Sequence, residues 1–105
     1  MIKDPNYIDI FQYFMNHGAP LNTAITYTQA FKRIIRHVFN GVRPGSARSY
    51  LAKNNLKALF RFVKSPYVAP NSTSLLLVAY KRVLEAFGIE IPQELEDEIY
   101  HSFFE

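Results

Sequence analysis

A chain of 105 residues, 49% of them hydrophobic and 20% charged, is long enough for one domain with its own core and argues against disorder. The absence of cysteine excludes a disulfide framework and thiolate metal sites. A net charge of +3 conceals a sorting of signs along the chain, which speaks about partners rather than fold.

The pattern predicts helices throughout. Asp4-Pro5 reads as a cap and first-turn proline for a helix from about Pro5 to Asn16, with Tyr7, Ile10, Phe11, Phe14 and Met15 on its apolar side. His17-Gly18 ends it, the imidazole placed to cap carbonyls. A second helix is expected over about Thr23 to Phe39, capped by Asn22. Its core face is Tyr27, Ala30, Phe31, Ile34 and Val38, with Ile35 at the edge and Lys32, Arg33 and Arg36 opposite, alongside Gln29. A third runs from near Ser46 to Lys64, with a possible break at Asn54-Asn55. The fourth, about Ser72 to Phe87, is apolar around most of its circumference and reads as the most buried; Gly88 stops it. The last, about Gln93 to Phe104, carries Leu95, Ile99 and Phe103 on a narrow seam. No segment alternates convincingly with period two. The expected fold is all-α, a compact single-domain bundle of four to five short helices spanning residues 1–105.

An internal echo links two helices: "NTAITYTQAFKRII" and "NSTSLLLVAYKRVL" align at an offset of 49 residues. Two copies cannot form a solenoid, but they can be equivalent helices of one bundle.

No acid occurs between Asp9 and Glu85, although average composition would put roughly nine there. That stretch holds eleven of the twelve cations, and from Glu85 onward there are seven acids and no Lys or Arg. Within "KNNLKALFRFVK", Lys53, Lys57, Arg61 and Lys64 fall within about 80° on a helix, away from the apolar side of Leu56, Leu59 and Val63. Like charges so placed repel by a few tenths of a kcal/mol per pair, and a polyanion along the stripe removes that cost. Cations four apart on a helix are about 6 Å apart, close to the phosphate spacing along one DNA strand. About six phosphate contacts give a log-log salt slope near −5.

The stripe and Lys32, Arg33 and Arg36 on the second helix are therefore the candidate DNA-binding residues. Tyr50, Asn54 and Gln29 are neighbours able to hydrogen-bond, and Arg, Asn or Gln could add base readout. Phe62 stands off the main apolar stripe and is the aromatic most open to stacking on a base. His37, between the core and basic sides of its helix, reads as packing or a phosphate contact. His17, His37 and His101 have no spacing that suggests a metal site or a nucleophile dyad, and "ELEDE" lacks the context that tunes paired carboxylates. No enzyme and no cofactor is read here. The acidic last helix could meet a basic surface in trans or fold back as a mask over the DNA-facing side. No apolar run approaches the roughly 20 residues of a membrane span and "MIKDPNY" lacks a signal-peptide core. A cytoplasmic location without membrane binding is expected.

Three segments carry a family resemblance. "IDIFQYFMNHGAPLNTAITYTQAFKRIIRHVF" is similar to the first two helices of the N-terminal core-binding domain of tyrosine recombinases, the phage-integrase type with a SAM-like bundle. The match falls on Phe11, Phe14, Thr23, Tyr27, Phe31 and Phe39. "NNLKALFRFVKS" resembles the third helix, and "APNSTSLLLVAYKRVLEAFGIEIP" the fourth. The resemblance covers roughly residues 8 to 92. It implies a SAM-like fold that binds duplex DNA through its second and fourth helices, hence Lys32, Arg33, Arg36, Lys81 and Arg82. The strongest basic stripe here is instead on the third helix. The family's catalytic Arg, His-x-x-Arg and Tyr would have to follow residue 105, so DNA binding without strand cleavage is implied. The alternative is a helical interaction or dimerisation module that uses the acidic last helix to bind itself or a protein partner.

Overall fold

The computed structural model describes residues 7–38 and 56–104. They form five α-helices and one 3-10 turn, with no strand among the described residues. The helices are α1 (Tyr7–Asn16), α2 (Leu21–Val38), α3 (Leu56–Val63), α4 (Thr73–Phe87) and α5 (Gln93–Phe104), with the 3-10 turn at Pro70–Ser72 before α4. The all-α bundle expected from periodicity is what these residues build. The Asp4-Pro5 cap, the start of the third helix and the Asn54-Asn55 break lie outside the described residues.

α1 and α2 form an antiparallel pair. Tyr7 meets Phe31 edge-on at 6.3 Å, and Phe14 meets Tyr27 at 5.6 Å. Gly18 turns the chain between them at φ 88°, where a Cβ would meet no atom within 4 Å. Backbone angle, not space, therefore selects glycine there. His17 caps as expected, its Nδ1 2.8 Å from the Tyr13 carbonyl oxygen. α2 begins at Leu21, two residues earlier than expected, because the Pro20 carbonyl already accepts from the Ala24 N–H at 2.9 Å. Asn22 is thus inside the helix rather than its cap, and its own carbonyl accepts from Thr26 Oγ1.

α2 packs on α4 more extensively than on any other helix. These are the two echo segments, and corresponding residues have corresponding burial: Ala30 and Ala79, Phe31 and Tyr80 all lie in the core. α4 has eight buried residues, the most of any helix described, in keeping with its nearly continuous apolar surface. It ends at Gly88, φ 74°, whose N–H donates to Glu85, while the Ile89 N–H reaches back to Leu84 at 2.9 Å. Ile35 is 1% exposed and belongs to the core, not its edge.

α3 and α4 are tied at their junction, where Thr73 Oγ1 donates to the Val63 carbonyl at 2.9 Å. α5 lies along α4, and Ser74 Oγ donates to the Ser102 carbonyl at 3.3 Å. Leu95 is its one fully buried side chain, with Ile99 partly buried behind it. Phe103, expected on the same seam, is 61% exposed. Each step of four residues rotates a side chain by about 40°, so the third member of the series has turned off the contact.

Candidate nucleic-acid interface

Lys57 and Arg61 project from α3 one turn apart, opposite Leu56, Leu59 and Val63, which fix the helix in the core. Both are exposed, and neither has an acidic partner among the described residues. Lys64 continues the stripe but lies 3.3 Å from Glu98 on α5. Lys53, the expected first member, lies outside the described residues, as do Tyr50 and Asn54.

The cations of α2 divide by role. Lys32 is exposed, with its ammonium 4.9 Å from the centroid of the Tyr7 ring. Arg36 is also exposed; its charge acts on the Tyr7 hydroxyl, whose pKa burial raises and Arg36 opposes. Arg33 is half-buried, its guanidinium 5.8 Å from the Phe62 ring centroid and donating to the Tyr67 carbonyl. It fastens α2 to α3 and to the loop after it, a part that leaves less of its fork for phosphate.

Phe62 does not stand ready for a base. It is 8% exposed, with His37 stacked on it at 5.1 Å and 14°. The side of α3 that looks free on a helical projection is the side that meets α2, so packing takes the ring. His37 keeps an exposed position in that stack. The His37 stack and the Arg33 guanidinium, both on the Phe62 ring, join the two basic helices directly.

The fourth-helix candidates are engaged elsewhere. Lys81 pairs with Glu96 of α5 at 2.8 Å and is only a quarter exposed. Arg82 pairs with Glu85, one turn on, at 3.1 Å. α5 therefore bridges two helices, with Glu98 reaching α3 on one flank and Glu96 reaching α4 on the other. That role for the acids follows from a fold in which positions 34 residues apart, Lys64 and Glu98, become neighbours. Charge sorting along the chain signalled an encounter between the two signs, but not which residues would meet.

The histidines are dispersed: His17 at the end of α1, His37 on Phe62, His101 on α5. Among the described residues no group of His, Cys, Asp or Glu is placed to hold a metal ion, and no helix is long and apolar enough to cross a membrane. Comparison with known proteins gives no match to a family model, a curated protein or a solved structure.

Proposed function

We propose that this protein binds duplex DNA, and that Lys57 and Arg61 of α3 together with Lys32 and Arg36 of α2 are its phosphate contacts. The observation that carries the reading is that these four cations are exposed on two adjoining helices, with no carboxylate paired to them among the described residues. They belong to a stretch without acids in a chain that has nine. The resemblance of residues 8 to 92 to the tyrosine-recombinase core-binding domain supports the same ligand. The helices assigned the contacts differ in part: Lys81 and Arg82 each face a carboxylate, Glu96 and Glu85, whereas Lys57 and Arg61 face none among the described residues.

Four contacts correspond to a log-log salt slope of about −3.6 for duplex DNA, shallower than six would give. A titration of fluorescently labelled random-sequence duplex across about 50 to 200 mM salt measures it. Lys57→Glu with Arg61→Glu is expected to weaken binding at low salt and to reduce the slope by about two. Absence of binding, or binding insensitive to salt, contradicts the reading.

A second reading has its own observation. Tyr100, Phe103 and Phe104 are 61%, 61% and 71% exposed on α5, beside its acids. A protein-contacting surface is the other use for such a helix. Concentration-dependent association that is lost in Phe103→Ser with Phe104→Ser, without any duplex binding, favours it.

A further inference from the structure

The basic stripe of α3 stops where α5 begins. Lys57, Arg61 and Lys64 share one side of the helix, within about 60° of one another. The first two are without acidic partners among the described residues, whereas Glu98 sets both carboxylate oxygens near the Lys64 ammonium, at 3.3 and 3.5 Å. Glu98 is held by its helix: Leu95, three residues earlier, is fully buried, and Ile99 beside it is partly buried. The Lys64 side chain remains 59% exposed, so the ion pair stands in solvent where a strand can reach it.

Resting on the DNA-binding reading above, we propose that Glu98 is an internal competitor for phosphate. It occupies the position that a phosphate of the bound strand takes when it meets Lys64, so duplex and Glu98 exclude one another at the end of the stripe. An exposed ion pair of this kind is worth little by itself, roughly 0 to 1 kcal/mol. The contact is therefore weak enough for a phosphate chain already held by Lys57 and Arg61 to displace. Release adds one phosphate contact but leaves a carboxylate near the strand, which lowers affinity without abolishing it.

Glu96 supplies the control. It makes a second ion pair from α5, with Lys81 on α4, away from the stripe. Glu98→Gln and Glu96→Gln change the net charge equally, so any difference between them reports position. In titrations of the random-sequence duplex, Glu98→Gln is expected to tighten binding by about threefold to tenfold at low salt. Glu96→Gln should stay within about twofold of the parent, and the gain from Glu98→Gln should vanish when Lys64→Gln is also present.

Equal gains from the two glutamine variants would show a general charge effect and overturn the proposal. So would a Glu98→Gln protein that binds like the parent while Lys57→Glu with Arg61→Glu weakens binding as expected. If the parent does not bind duplex at all, the DNA-binding reading falls first and this inference with it. Circular dichroism of each variant establishes that the bundle is intact before the comparison is made.

Discussion

Tyr80 on α4 stands where Phe31 stands on α2: each follows an alanine, precedes a pair of cations and is fully buried in the core. They differ by one oxygen. The Tyr80 hydroxyl is buried with no hydrogen-bond partner among the described residues, so the α4 copy of the echo carries a desolvated polar group that the α2 copy lacks. An unsatisfied buried hydroxyl costs about 1–3 kcal/mol.

Tyr80→Phe should accordingly stabilise the protein by about 1 kcal/mol or more, raising the melting temperature by several degrees in a domain of this size. Thermal denaturation at neutral pH measures it. A lower melting temperature would mean that the hydroxyl has a partner after all.

The same residue makes the fold sensitive to alkali. Burial pushes the Tyr80 phenol well above its ordinary value of 10.0. In the unfolded chain it ionises near pH 10, while in the folded protein it stays neutral, so above that pH the folded state holds the proton more tightly. Stability is then complete below the unfolded pKa and falls as pH rises past it, by up to about 1.4 kcal/mol per pH unit. Tyr80→Phe should reduce that slope by the contribution of one ionisable group in denaturant titrations between about pH 9 and 11.

Arg33 is expected to behave as a packing residue. Arg33→Ala removes its bond to the Tyr67 carbonyl and its cover over Phe62, and should cost about 1–2 kcal/mol of stability. Arg36→Ala, at an exposed position one turn away, should cost less than about 0.5 kcal/mol. Parallel urea titrations of the two variants test this; equal losses would contradict it.

α5 depends on Leu95. Leu95→Ala should cost about 2–5 kcal/mol, because a fully buried side chain in the first turn of α5 is truncated. Hydrogen exchange should then show protection lost across residues 93–104 before it is lost in α4. Simultaneous loss in both helices would mean that α5 does not open separately.

Helix existence and order were legible because each segment has a 3.6-residue apolar period and most of the breaks carry glycine or proline. What failed were judgements about which flank of a helix is free. Ile35, placed at an edge, is core; Phe62, placed outside, is covered by α2; Phe103, placed inside, is exposed. A projection of one helix fixes the angles among its own residues but contains nothing about the direction from which a second helix arrives. The candidate interface shows the same division. Lys57 and Arg61 are exposed as their spacing requires, while the pairing of Lys64 and Lys81 with acids depends on tertiary neighbours; the Arg82–Glu85 pair, three residues apart on one helix, is local. Local competition does explain one error: Pro20, with its fixed φ, starts α2 before Asn22 can cap it.

The pairing of α2 with α4 also has a consequence for synthesis. The apolar face of α2 is translated well before the helix that covers it, and the offset between the echo segments is 49 residues. At about 5–20 residues per second a ribosome takes roughly 2 to 10 seconds to make that stretch. Until α4 emerges, α1 and then α3 are the described helices able to shelter Phe31, Ile34 and Ile35. A nascent chain halted between the two helices would therefore be a target for chaperones.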